Sequence, residues 1–382
     1  MSDSNKEKNR ENQSNQLRHI IPFFIPHLGC PHQCIFCNQH HVSGESASPK
    51  DSEIQQAINN WEGDTLPEIA FYGGSFSGLP YSSQSYFLTP AYHALKENKI
   101  RGIRISTRPD YINPEALDFL SSFGVKTVEL GVQSLDPEVL ARSCRGHKAE
   151  DVYRAVSLLK ERGFAVGVQL MPGLPGDTRE KSIQGALDIA RMKPDMARIY
   201  PTLVLKDTPL HKLFLEERYH PLSLNEAVTI SRDMLAIFRF YGVQVIRTGL
   251  QPTNDIAEGA KVVAGPFHPA FGELVKAALA KEQAVMAIEE FLPERTNEMP
   301  KQEEAAIALW VSPRDCSIMA GHKRNNIEYL KNHFHLTEIK IIGTNNLDRG
   351  TIGISKKPEQ PQLIIPENRF LLQYVTKRLM AN

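Results

Sequence analysis

Cys30-Pro31-His32-Gln33-Cys34-Ile35-Phe36-Cys37 places three cysteines in eight residues, spaced C-x3-C-x2-C, with an aromatic directly before the last. Thiolates are the usual ligands of iron–sulfur clusters, and three on one short loop suit three irons of a cubane [4Fe–4S] cluster. With no fourth cysteine in the motif, one iron is left open to another ligand. Two other readings compete. The thiols could hold zinc, with His32, His40 or His41 as fourth ligand, or could be ordinary reduced cysteines. Zinc sites commonly come as two separated pairs, and no second pair follows here. The iron–sulfur reading is therefore favoured.

Downstream of this loop, short apolar runs alternate with longer amphipathic stretches. Runs at 68–72, 103–105, 127–130, 165–170 and 196–200 have strand length, and stretches at 52–61, 82–98, 114–123, 149–162 and 178–191 have helical spacing. Short buried strands separated by such helices predict βα repeats on a parallel sheet. About six repeats fit an α/β fold of the partial (β/α)6, TIM-like barrel kind, in which chemistry sits at the C-terminal ends of strands. Helical stretches at 209–217 and 224–241 and a strand at 242–247 close this region. Beyond about residue 255 the pattern predicts a small α/β domain, with helices at 270–280 and 318–333 and strands at 305–311 and 338–342. The expected organisation is a disordered tail over 1–18, a core over 19–250 and a C-terminal α/β domain over 251–382.

Composition narrows the class. Of 382 residues 41% are hydrophobic, and no run approaches the ~18 apolar residues that a membrane helix needs. The apolar stretch 20–26 is too short and proline-broken for a signal peptide. Residues 1–16 are rich in Ser, Asn, Gln, Lys and Glu, the composition of a disordered segment. The chain has 5 cysteines, three of them in one motif, which is not a disulfide framework, and an oxygen-sensitive cluster needs a reducing compartment. A cytoplasmic location without membrane contact is expected. Basic and acidic residues balance at 44 each, so any nucleic-acid contact must rest on a local basic patch rather than on overall charge.

Polar motifs recur directly after the apolar runs. Tyr72-Gly73-Gly74-Ser75-Phe76 puts two glycines at a strand end, where backbone can approach a ligand with no Cβ between them; alone, it would read as a tight turn. Ser106-Thr107-Arg108-Pro109-Asp110 brings two charges to the next strand end. Glu129-Leu130-Gly131-Val132-Gln133-Ser134 offers in Gln133 both a donor and an acceptor. Ser143-Cys144-Arg145-Gly146-His147 adds a cation and an imidazole. Cys144 and Cys316 read as packing residues, His268 as a loop histidine beside a helix entry carrying Glu273, and Trp61 and Trp310 as core.

The cysteine loop with its downstream motifs resembles the radical SAM superfamily. The segments Thr107-Arg108-Pro109-Asp110, 129–134, Arg145-Gly146-His147, 171–177 and 199–205 resemble the radical SAM half of the Elongator catalytic subunit family, over roughly residues 19–250. That resemblance implies a [4Fe–4S] cluster held by Cys30, Cys34 and Cys37, its open iron binding S-adenosylmethionine for cleavage to a 5′-deoxyadenosyl radical. Gly73 and Gly74 would hold the methionine part, and Gln133 and Arg145 would contact ribose or carboxylate. Arg108, Asp110, Tyr200 and Arg247 are candidates to face substrate. The implied substrate is an RNA base, with tRNA as partner and a one-electron donor such as flavodoxin or ferredoxin.

This chain departs from that family in several places. The Elongator subunits space their first two cysteines more widely, carry glutamate at the position of Ser106 and have histidine at that of Gln169. No run after residue 250 resembles their acetyl-CoA turn; 265–274 is a proline–aromatic motif closer to the shorter C-terminal domain of bacterial Elongator-like proteins. Transfer from acetyl-CoA is therefore not carried over. A radical SAM enzyme acting on a tetrapyrrole or other small metabolite, and a non-catalytic module binding cluster and S-adenosylmethionine, are the competing readings.

Overall fold

The computed structural model describes residues 19–25, 29–30, 34–37, 48–250, 261–292 and 306–380. The expected tail at 1–18 lies outside them. In chain order the elements are β1 (Ile20–Ile25), α1 (Asp51–Asn59), β2 (Glu68–Gly73), α2 (Tyr81–Lys96), β3 (Gly102–Thr107), α3 (Pro114–Ser122), β4 (Val125–Gln133), α4 (Pro137–Arg142), α5 (Ala149–Glu161), β5 (Ala165–Leu170), α6 (Arg179–Arg191) and β6 (Met196–Ile199). There follow β7 (Val204–Leu205), α7 (Pro209–Leu215), α8 (Leu224–Phe240), β8 (Gln244–Thr248), β9 (Val262–Ala264), α9 (Phe271–Phe291), β10 (Ala306–Val311), α10 (Cys316–Ala320), α11 (Asn325–Phe334), β11 (Glu338–Gly343), β12 (Ile352–Ser355), β13 (Leu363–Ile365) and α12 (Glu367–Tyr374).

The large sheet has the strand order β1-β2-β3-β4-β5-β6-β8, parallel at β1–β2, β2–β3, β3–β4 and β6–β8. Consecutive βα units in sequential order make the partial TIM-like barrel that the spacing predicts. Helix starts follow from side-chain capping of orphan backbone N–H groups. Asn113 before Pro114 accepts from Ala116 N at 2.8 Å, and Asp136 before Pro137 from Val139 N at 3.0 Å. Ser223 and Glu226 form a reciprocal capping box at the start of α8.

Among the described residues the chain divides into two compact units, one of residues 19–25, 29–30, 48–132 and 150–167, the other of 34–37, 133–149, 168–250, 261–292 and 306–380. In the first unit the strands alternate strictly. Ile69 and Phe71 of β2, Ile103 and Ile105 of β3, and Val128 and Leu130 of β4 are fully buried on one face. The opposite face carries Glu68 and Tyr72, Arg104 and Ser106, and Thr127 and Glu129, as the period of two requires.

The second unit holds α6, α8 and the C-terminal sheet, of order β11-β10-β12-β13. Asp233 of α8 is fully buried and accepts from Arg179 Nη2 at 2.7 Å, Arg232 Nε at 2.9 Å and Tyr374 Oη at 2.6 Å. Burial, reinforced by the Asp233 carboxylate, pushes the Tyr374 phenol well above the ordinary tyrosine range.

The helix expected over 318–333 is broken. Gly321 has φ +76°, and Lys323 and Arg324 follow at +51° and +64°, separating α10 from α11. A Cβ at Gly321 would lie 2.8 Å from Asn326 Cγ, and Asn326 Nδ2 fixes the break by donating to Ala277 O at 2.9 Å and Met319 O at 3.1 Å. Trp310 is buried as expected. Trp61 is not core: it is half-buried, with Nε1 donating to Thr65 O at 2.9 Å.

Candidate cofactor site

In the second unit, the segment from Cys34 to Cys37 is held on both sides by backbone. Ile35 N donates to Ser143 O at 3.2 Å, and Leu210 N donates to Ile35 O at 2.8 Å. Ile35 is buried with Val204, Leu210 and Tyr219, and Phe36 packs at the edge of that cluster beside Leu213 and Phe214. Burying such an aliphatic side chain contributes about 1.5–3 kcal/mol, so the two apolar residues between the cysteines act as the anchor of the loop. Cys37 N closes the turn onto Cys34 O at 3.0 Å.

Cys34 is 6% exposed, and Arg145 Nη1 donates to its sulfur at 3.4 Å. The turn that delivers Arg145 is left-handed on either side, with φ +51° at Cys144 and +80° at Gly146. Cys144 itself is exposed, so the expectation that it packs in the interior does not hold. Gln133, at the end of β4, is buried yet has φ +70°. A non-glycine residue there costs about 1–3 kcal/mol and is commonly held at functional sites. Its Oε1 accepts from Gln169 Nε2 at 3.1 Å, and its backbone oxygen from Met171 N at 2.9 Å.

Tyr200, after β6, is half-buried and accepts from Arg198 Nη1 at 3.4 Å. Arg247 is exposed on β8, in register with Arg198. Beyond these strand ends a small crevice, with room for about 10 Å³, is lined by Pro201, Leu203, Gly249, Phe267 and His268. His268 Nδ1 accepts from Ala270 N at 3.1 Å, and Glu273 pairs with Lys276 at 2.8 Å.

In the first unit, Gly29, which precedes Cys30, lies against the turn after β2. A Cβ on Gly29 would collide with Ser75 O, and one on Gly78 with Gly29 O. Gly73 has φ +107°, and a Cβ there would stand 2.8 Å from Ile25 O; glycine is required at this position by the backbone of β1. Gly74 N donates to Ile25 O at 2.8 Å. Gly74 also lines a shallow, narrow crevice with Ile25, Tyr72, Phe76 and Ser106, at the ends of β1, β2 and β3.

Arg108 and Asp110 bind each other in a bidentate pair, Nε to Oδ1 at 3.0 Å and Nη2 to Oδ2 at 2.9 Å. The two charges expected at this strand end thus offset one another. Arg108 is only 2% exposed, and its Nη1 is buried with no hydrogen-bond partner among the described residues.

Sequence reading did not single out the ion network on the same unit. Arg104, 1% exposed, reaches Glu68 at 2.6 Å and Glu129 at 2.7 Å. Thr127 Oγ1 donates to Glu68 at 3.2 Å, and Tyr72 Oη to Glu129 at 3.1 Å. Burial alone would lower the Arg104 pKa, but the two carboxylates outweigh it and hold the guanidinium above its ordinary value. An arginine and two glutamates on alternate positions of neighbouring strands were the available signal.

Among the described residues, no three His, Cys, Asp or Glu side chains gather to hold a single metal ion. His32, His40 and His41 lie outside those residues. A cubane differs from zinc in taking each thiolate on a separate iron, so three thiols need not converge on one point. Within the second unit, the guanidinium N–H on the Cys34 sulfur suits a thiolate that ligates iron; within the first, the buried Arg108 Nη1 suits an anionic group. No helix among the described residues is long and apolar enough to cross a membrane.

The chain matches two family models: the radical SAM superfamily over residues 24–184 and the radical SAM C-terminal domain over 194–281. A tRNA uridine(34) acetyltransferase of Methanocaldococcus infernus is 31% identical over 245 residues, covering 53% of this chain and 46% of that protein. The human Elongator complex protein 3 is 31% identical over 201 residues, 46% of this chain and 37% of that protein. The chain therefore spans about half the length, or less, of these relatives. Among solved structures, the archaeal Methanocaldococcus infernus Elp3 with an N-terminal deletion is similar, with TM-score 0.58 and 25% identity over 69% of this chain and 63% of that one. The chain thus carries a radical SAM domain over residues 24–184 and a radical SAM C-terminal domain over 194–281.

Proposed function

We propose that this chain is a radical SAM enzyme that modifies a base of tRNA. The observation that carries the radical chemistry is the anchored Cys34–Cys37 segment, with a buried guanidinium on one thiol and a strained glutamine at a neighbouring strand end. When bound, the [4Fe–4S] cluster and S-adenosylmethionine supply a 5′-deoxyadenosyl radical. Cys30, Cys34 and Cys37 hold the cluster. Gly73 shapes the turn that presents Gly74 to the methionine part, and Gln133 and Arg145 contact ribose or carboxylate.

The RNA substrate is supported by the similarity to tRNA uridine(34) acetyltransferases, and the group transferred is not taken over from them. In this reading residues 19–250 carry the chemistry, with Tyr200 and Arg247 facing the base. Exposed cations at Lys148, Lys323 and Arg324 contact phosphates, which a chain of zero net charge must gather locally. A flavodoxin or ferredoxin supplies the electron, and the enzyme works in the cytoplasm. Comparing the modified nucleosides of total tRNA from cells with and without this chain tests the proposal. One nucleoside should disappear with the chain and return with it. An unchanged tRNA profile, alongside 5′-deoxyadenosine release by the purified protein, would replace RNA with a small metabolite.

A further inference from the structure

We infer that Arg145 is a positioning residue for the cluster itself: its N–H···S bond to Cys34 raises the reduction potential of the bound [4Fe–4S] cluster. The inference rests on the cluster assignment above and goes beyond a contact between Arg145 and S-adenosylmethionine. Three observations carry it. The Arg145 Nη1 to Cys34 Sγ contact, at 3.4 Å, joins two buried residues. The same two segments are joined by backbone, Ile35 N to Ser143 O at 3.2 Å, so the contact does not depend on the side chains alone. The turn that carries Arg145 between left-handed Cys144 and Gly146 is held by backbone, Cys144 N donating to Ala141 O and Arg145 N to Leu140 O, both at 3.0 Å.

The sign follows from charge. Reduction adds one negative charge to the cluster and its thiolates. A guanidinium is always protonated, and its N–H bond and positive charge favour the more negative state. Hydrogen bonds to cluster sulfurs are an established lever on potential, and a site sheltered from water strengthens them. Arg145 therefore eases the one-electron reduction on which the chemistry depends.

The test is an EPR-monitored redox titration of the anaerobically reconstituted full chain, without S-adenosylmethionine, so that a carboxylate contact makes no contribution. Arg145→Met should shift the reduction equilibrium about tenfold towards the oxidised cluster, which is about 59 mV more negative for a one-electron couple. Arg145→Lys, which keeps the charge, should recover part of the shift. Arg142→Met removes a cation from the same segment whose side chain is 60% exposed and should leave the midpoint unchanged. An Arg145→Met protein with full iron content and an unaltered midpoint would overturn the inference. So would loss of iron from Arg145→Met, Arg145→Gln and Arg145→Lys alike while the wild type retains it, since that makes Arg145 an assembly residue. A wild type that takes up no iron would instead overturn the cluster assignment.

Discussion

Tyr219 donates its phenolic hydrogen to the Gly173 carbonyl at 2.6 Å, and its ring belongs to the buried cluster that receives Ile35 of the cysteine loop. One side chain thus ties the loop after β5 to the anchor of two thiols. Asp177 shapes that same loop, accepting from Gly173 N at 2.8 Å and Ser182 Oγ at 2.6 Å. Burial, and next the Asp177 charge, pushes the Tyr219 phenol above its ordinary range, so it is a donor at every physiological pH. Tyr219→Phe should cost about 1 kcal/mol by removing the hydrogen bond to the half-buried Gly173 carbonyl. Tyr219→Ala should cost more and also release iron, because it removes part of the wall around Ile35. Thermal melts with iron determination on each variant check both.

Anaerobically purified protein should hold about four irons per chain and lose them when Cys30, Cys34 or Cys37 becomes Ala. Cys144→Ala and Cys316→Ala should keep full iron content. A colourless, zinc-loaded wild type would remove the basis of the assignment.

Arg104→Met should be strongly destabilising. It leaves Glu68 and Glu129 buried without their shared cation, a loss of about 3–5 kcal/mol when one member of a buried ion group is removed. Adding Glu68→Gln and Glu129→Gln should restore much of that stability. Chemical denaturation of the single and triple variants distinguishes a charge effect from a packing effect, since only the former is rescued.

The two glycines after β2 should separate. Gly73→Ala forces a Cβ against the Ile25 carbonyl in a left-handed conformation and should lower stability by about 1 kcal/mol or more. Gly74→Val fills the crevice beside Ser106 and should weaken S-adenosylmethionine binding while sparing iron. Equilibrium dialysis of the reconstituted variants reads binding, and normal affinity in Gly74→Val would reduce the turn to architecture.

Affinity for tRNA should fall steeply with salt, as binding through phosphates requires. Lys323→Glu with Arg324→Glu should weaken it and flatten the salt dependence, with iron content and 5′-deoxyadenosine release unchanged. Filter binding over a series of salt concentrations is sufficient. Identical curves for the variant and wild type would move the RNA surface elsewhere.

Much of the barrel was legible because its strands and helices differ in period and length. The runs at 103–105 and 165–170 fall on β3 and β5, and the helices expected from 114 and 209 start at Asn-Pro and Thr-Pro pairs, whereas the short α4 after Asp136 was not expected. The cysteine loop was legible as chemistry but not as architecture: nothing local tells that Ile35 is buried with Leu210, far along the chain. Arg108 and Asp110 read as two separate charges because a sequence does not show that one neutralises the other. The break at 321–324 was missed since two basic residues in left-handed conformation follow from the tertiary hydrogen bonds of Asn326, not from their own preference. β12 and β13 are short; β13 pairs with β12, and β12 in turn with β10, about forty residues upstream.

The buried Asp233 carboxylate sets an order of events during synthesis. Its arginine partners Arg179 and Arg232 precede it or adjoin it, but Tyr374 lies 141 residues later. At 5–20 residues per second, α8 emerges roughly 7–28 s before the phenol that completes its buried anion. Throughout that interval the carboxylate has only its cations and water, and the packing of α8 stays provisional. The last helix thus acts as a closing bolt on an earlier one, and chains interrupted before Tyr374 should expose that helix to proteases rather than accumulate as a trimmed but finished fold.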